Sequence, residues 1–426
     1  MYILKNCNIV DVINGEIIKN KIILIDGENI VDIKDNYNGS GKIIDLKNKY
    51  VCPGLINLHV HLFGSGKPTK TVAQSGGKSQ KRMLNFVKTK LGFKVLVSIV
   101  KNSLKGELYG GCTTVRSVGD LAFSDIYVRK QIENKKFCGP RLVSSGPGIT
   151  VENGHGAGTI AIVSKTDDDF KRLVENNINH HVDLIKLMIT GGVMDAKKRG
   201  DPGELKMSLE QVRLCCNLAH KNGLLVAAHI ESSEGVLVGL KGGVDTIEHG
   251  AILDDEMIHL FKENNKVLIT TLSPAIPISK LDTKYTNLNE KDKYNGDIVS
   301  NGIIEASKAA LKNDIKVGLG TDAGCPYAMQ SDMWRELCYF KKYVGVSNEF
   351  ALKTATITNA SIIGLDDITG SITKGKKADL IVLNGNPFDD LRNLSRCEKI
   401  FVNGKYLKHI HCKKNKDIEK HLDTLI

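Results

Sequence analysis

Residues 50–62 read "YVCPGLINLHVHL", an apolar run that ends in His59 and His61. A strand turns alternate side chains to opposite faces, so the two imidazoles point the same way and can hold one ion between them. The texture of the chain also changes here. Upstream lie short strand-like runs broken by "NG", "DGEN" and "YNGSG", the punctuation of a small antiparallel sheet. Downstream, strand-like runs alternate with amphipathic helical stretches: "GLINLHV", "TTVRSV", "RLVSSG", "LIKLMIT", "LLVAAHI", "DTIEHG", "KVLITTL" and "KVGLGTD". Eight such runs in βα rhythm predict an α/β fold, a closed (β/α)₈ TIM-type barrel. After about residue 365 strands and turns return, with Asn403-Gly404 as a hairpin signal. The expected organisation is a barrel over residues 53–364 and a small β-sandwich built from both termini, residues 1–52 and 365–426.

Chemistry in such barrels gathers at the carboxyl ends of the strands. His59, His61, Lys186, His229, His249 and Asp322 all fall at or near those ends. Taken singly, each has a plain reading, such as a buried histidine satisfying one hydrogen bond. Taken together, on successive strands, they outline a metal site whose imidazole and carboxylate ligands suit zinc or a similar borderline ion. Lys186 decides between one ion and two. Alternation in "LIKLMIT" groups it with Leu184 and Met188 on one face, and an unpaired ammonium turned into the barrel is costly to desolvate. As a neutral amine it can add carbon dioxide, and the resulting carbamate has two oxygens able to bridge two cations. The alternative is a lysine that snorkels to solvent at the strand end.

Composition excludes several classes. The 426 residues are 41% hydrophobic, enough for a large core, and the net charge of +11 comes from dispersed lysines without Arg-rich runs, which argues against nucleic acid as partner. One local concentration, Lys78, Lys81, Arg82, Lys88, Lys90 and Lys94, reads either as a solvated helix face or as a basic rim that attracts anionic substrates. Ten cysteines without a C-x-x-C, no leader pattern and no apolar run of bilayer length predict a cytoplasmic protein with reduced thiols and no membrane partner.

From "VCPGLINLHVHL" through "GCTTVR", "IKLMITGGV", "VAAHIESSEGV", "GVDTIEHG" and "VGLGTDAG" to "GSITKGKKADLIVL", the chain resembles the amidohydrolase superfamily, and within it the prolidase-like, binuclear-metal dipeptidases and carboxypeptidases. The resemblance implies that His59, His61 and Asp322 hold one divalent ion, that His229 and His249 hold a second, and that a carboxylated Lys186 bridges them. A hydroxide shared by the two ions would then attack the amide carbon of a small peptide-like substrate, an Xaa-Pro or other dipeptide or an N-acyl amino acid, with Asp322 relaying the proton. It also implies a homo-oligomer, and it gives the "ENGHG" loop to the substrate, with His155 facing the scissile group or a carboxylate; from the residues alone a glycine-flanked turn reads equally well. Prolidase-like relatives often carry a tyrosine two residues after the fifth-strand histidine; Glu231 stands there instead, which leaves the substrate contact at this position open. Arg116 either clamps a substrate carboxylate bidentately or braces the barrel. The rival readings are a cyclic amide or amidine hydrolase or deaminase of imidazolonepropionase type, which usually has one metal and no strand-four lysine, a barrel acting on lactones, phosphotriesters or ureas, and a non-catalytic binding barrel.

Overall fold

The computed structural model describes residues 1–68, 76–408, 411–412 and 414–426, the side chains of 76–81 excepted. The eight barrel strands are β6 (Leu55–Val60), β7 (Cys112–Ser117), β8 (Arg141–Ser144), β11 (Leu184–Met188), β12 (Leu225–Ile230), β13 (Thr246–His249), β14 (Val267–Thr270) and β15 (Val317–Leu319). Each coincides with one of the eight apolar runs. Their residues are buried almost throughout, as expected of parallel strands covered by helices outside and by their own side chains within. A short parallel pair, β9 (Gly148–Val151) and β10 (Ala161–Ser164), follows β8 and carries the loop that contains His155.

The barrel closes between its last strand and its first. His61 N donates to Ala323 O (2.7 Å) and Asp322 N to His59 O (2.8 Å), so the loop after β15 is stitched along β6. That close approach explains two glycines. A Cβ on Gly320 would lie 2.4 Å from His59 Cβ, and one on Gly324, whose φ is +108°, would lie 2.3 Å from His61 O.

The terminal strands are β1 (Tyr2–Asp11), β2 (Glu16–Asp26), β3 (Asn29–Lys34), β4 (Lys42–Asp45), β5 (Tyr50–Pro53), β16 (Leu380–Leu383), β17 (Lys399–Val402) and β18 (Lys405–Leu407). They form one continuous eight-stranded sheet in which β5 pairs with both β1 and β16, joining the two ends of the chain. Leu4, Ile23, Val51, Leu380 and Phe401 meet in its separate core. Asn403 and Gly404 both take positive φ, the two-residue turn that their pairing implies.

The end of the chain departs from the expected boundary. A helix at Lys416–Asp423 buries Ile418 and Leu422 in the barrel core, and its Glu419 and Asp423 lie 3.0 and 2.7 Å from the guanidinium of Arg335, which is 2% exposed on helix Met333–Tyr339. Residues 416–426 therefore belong to the barrel. The Lys-rich composition conceals an apolar pair at i, i+4 that needs a partner.

Candidate active site

At the mouth of the barrel, His59 on β6 and His61 just past its end both have Nδ1 committed. His61 Nδ1 is 2.8 Å from Gly119 O, and His59 Nδ1 is 2.7 Å from Glu248 Oε2. A carbonyl only accepts, and Glu248, clasped by Arg116 at 2.8 and 2.9 Å on its two oxygens, accepts as well. These partners assign the tautomers: each ring donates from Nδ1 and keeps a lone pair on Nε2. Both lone pairs face Asp322 Oδ1, which is 3.2 Å from His61 Nε2 and 3.5 Å from His59 Nε2 and accepts no conventional hydrogen bond. The three donor atoms lie within 4.8 Å of one another, an arrangement that a cation satisfies.

A second set lies beside it. His229 Nε2 is 3.3 Å from Gly191 O, which frees its Nδ1; His249 Nδ1 is 2.7 Å from Thr271 Oγ1, which frees its Nε2. The His249 ring is 4.8 Å from His59 and 4.7 Å from His229, centroid to centroid. Burial holds His59 and His229 well below the ordinary imidazole range and brings His249 down to about 4, so all three are neutral, the form that binds metal. Lys186 is 1% exposed, its Nζ has no hydrogen-bond partner, and its charge bears on His59, His229 and His249 alike. Burial lowers its pKa to about 8, so a useful fraction of the amine is neutral near physiological pH. The residues fit a pair of divalent ions: His59, His61 and Asp322 for one, His229 and His249 for the other, and an orphaned Lys186 amine whose carbamate would serve both.

His155, in the β9–β10 loop, stacks on His229 (3.9 Å, 5° between planes) and places Nδ1 2.5 Å from Asp195 Oδ2. Burial works against protonation of His155, yet the Asp195 contact together with the charges of Glu231 and Asp322 outweighs it and raises the pKa. Glu231 Oε2 accepts from Val193 N (3.2 Å), and burial lifts this carboxyl to about 7. Both side chains line a pocket that also exposes His229, His249, Asp322 and Cys325.

Arg116 does not line that pocket. Its guanidinium is taken up by Glu248, Thr246 and the carbonyl of Leu58, so the proposed carboxylate clamp is corrected to a brace. No lysine or arginine lines the pocket among the described residues, so Arg82, Lys88, Lys90 and Lys94 are absent from its wall; the side chains of Lys78 and Lys81 lie outside the described residues.

Sequence reasoning passed over Glu248, Asp195 and Thr271. Glu248 had a signal, a carboxylate inside the apolar run "DTIEHG", and the argument applied to Lys186 finds it too. Asp195 and Thr271 carried none, being ordinary loop residues until the fold brings them beside a histidine.

A profile of the amidohydrolase family matches residues 50–407. The ochratoxinase of Aspergillus niger is 26% identical over 331 residues, 71% of this chain; the match spans 65% of that relative, just under two thirds of its length. The imidazolonepropionase of Picrophilus torridus is 23% identical over 403 residues, 89% of each chain. Among solved structures, one described as "putative prolidase from Bifidobacterium longum" superposes with a TM-score of 0.86 at 35% identity, covering 100% of this chain and 98% of its own. A Xaa-Pro dipeptidase with methionine bound in its active site superposes with a TM-score of 0.81 at 27% identity, covering 96% and 100%.

Proposed function

The chain belongs to the amidohydrolase family, and on that premise we propose that it hydrolyses the C–N amide bond of a small peptide-like molecule, a dipeptide or an N-acyl amino acid, with two divalent ions, zinc by ligand type, and a carboxylated Lys186. The observation that carries the reading is the convergence of His59 Nε2, His61 Nε2 and Asp322 Oδ1 beside a lysine amine that has no hydrogen-bond partner among the described residues. Lys186 also weighs against the imidazolonepropionase-type reading, which needs no second anionic bridge.

Bound ions of this kind supply a nucleophile derived from water at neutral pH and polarise the carbonyl. The remaining work falls to the chain. Asp322 accepts the proton of the attacking water and returns it to the leaving nitrogen, since an amine departs far more easily than its anion. His155, fixed by Asp195 through Nδ1, has Nε2 left to donate to the substrate. Glu231, anchored by one oxygen on Val193 N, has its other oxygen left for a substrate N–H or hydroxyl. Reduced thiols are consistent with a cytoplasmic setting, since all ten cysteines are free.

The test is metal analysis joined to a screen. Two divalent ions per chain and turnover of dipeptides or N-acyl amino acids are expected. One ion per chain with ring-opening or deamination of a cyclic amidine would refute the proposal in favour of its rival.

A further inference from the structure

Much of the pocket lining is apolar. This part is built by helices Leu272–Lys280 and Glu290–Lys312, the connection at 286–288 and the loop at 325–327, and it presents Pro274, Ile278, Leu288, Val299, Ile303 and Tyr327. Among the described lining residues, the only carboxylates are Glu231 and Asp322, and no lysine or arginine is present. The wall is also pre-formed. The two helices pack so closely that a Cβ on Gly296 would lie 2.2 Å from Ile278 Cγ2. Asn295 Nδ2 donates to Lys198 O (3.0 Å) and its Oδ1 accepts from Gly200 N (2.8 Å), while the Arg199 guanidinium sits 4.3 Å from the Tyr294 ring, so the longer helix is pinned to the loop that follows β11. A rigid apolar wall has no ordering cost to recover on binding.

We propose that this wall is a specificity subsite for a bulky, uncharged apolar group, aromatic or branched aliphatic, attached to one side of the scissile amide, so that the preferred substrate is an amide with one greasy half and one polar half. The inference rests on the amide-hydrolase reading and narrows it: a dipeptide with a charged side chain on both halves is a poor substrate, because the second side-chain charge finds no partner on the wall. The polar half meets Glu231 and the His155–Asp195 pair.

The experiment varies each side of a simple amide in turn, from methyl through butyl to benzyl, with a chain of butyl length ending in carboxylate or ammonium as the charged member of each series. Rates are measured on the metal-loaded protein, and binding of the amides and their products is followed by calorimetry. In one of the two series kcat/KM should rise up to about three- to fourfold per added methylene, and the charged members should fall about 100-fold or more below butyl. Leu288→Lys should reverse that preference toward the carboxylate member. Amide turnover that is indifferent to apolar size, or that favours the charged members on both sides, overturns the subsite and leaves the hydrolase reading standing. Absence of amide turnover with the same graded binding overturns the hydrolase reading and keeps the subsite. Absence of both overturns the two together.

Discussion

Glu248→Gln tests whether the metal centre depends on a carboxylate that the substrate never meets. Glu248 is wholly buried and receives four contacts: Arg116 at 2.8 and 2.9 Å, Thr246 Oγ1 at 2.5 Å and His59 Nδ1 at 2.7 Å. The amide keeps the size but loses the charge, and one of its two termini becomes a donor pointed at other donors. Two costs follow. Arg116, 2% exposed, is left as a buried cation without its partner, which destabilises a protein by about 3–5 kcal/mol. His59 loses the acceptor that fixes its tautomer, which typically weakens metal affinity about 10- to 100-fold. Urea unfolding of chelator-treated protein reads the first and competition with a chelator for the metal reads the second. The double variant Arg116→Met with Glu248→Leu separates them, because removing both charges should restore most of the stability while the affinity stays low. Wild-type metal affinity in the properly folded single variant would refute the idea that Glu248 orients His59.

Three further outcomes follow from the same geometry. Asp322→Asn, assayed with its metal content verified, should lower kcat by about 10²- to 10⁴-fold; undiminished turnover would remove Asp322 from the proton path. Lys186→Ala should reduce divalent metal from two equivalents to at most one, with partial recovery on adding a short-chain carboxylate, and wild-type protein exposed to ¹³C-labelled bicarbonate should show a carbamate resonance that the variant lacks. Glu107 is fully buried with Oε1 unpaired, and burial lifts its carboxyl to about 8, with Asp332 nearby acting in the same direction. A raised carboxyl favours the folded state while it is protonated, so this contribution is complete below about pH 4.5 and is lost as the pH climbs through about 8. Glu107→Gln should therefore flatten the fall in stability between about pH 4.5 and 8, and parallel wild-type and variant curves would count against it.

Most of the barrel was legible because parallel strands buried on both faces read as apolar runs, and all eight runs coincide with strands. The ligand candidates were legible for a related reason. A histidine, lysine or aspartate at the end of such a run is costly to bury without a purpose. The small domain was harder to read. Its strands were legible as a domain built from both termini, but their order was not: β1 pairs with β2 along one edge and with β4 and then β5 along the other. That register depends on contacts 40 or more residues apart, which local alternation does not encode.

What strand alternation cannot supply is the final aim of two ligands. Thr246 and Glu248 share one face of β13 and both reach Arg116, so His249 should point the other way. It joins the site because its own backbone turns left-handed, φ +68°, at the strand end. Asp322 does the same with φ +52° after β15. Side chains other than glycine occupy this region at a cost that the surroundings must repay. Here the repayment is visible as the hydrogen bond from Asp322 N to His59 O and the one between His249 and Thr271. Buried neutral imidazoles and an Asp322 oxygen that accepts no hydrogen bond among the described residues thus gather within one ring of strand ends, each unfavourable in an empty barrel and each suited to a bound cation.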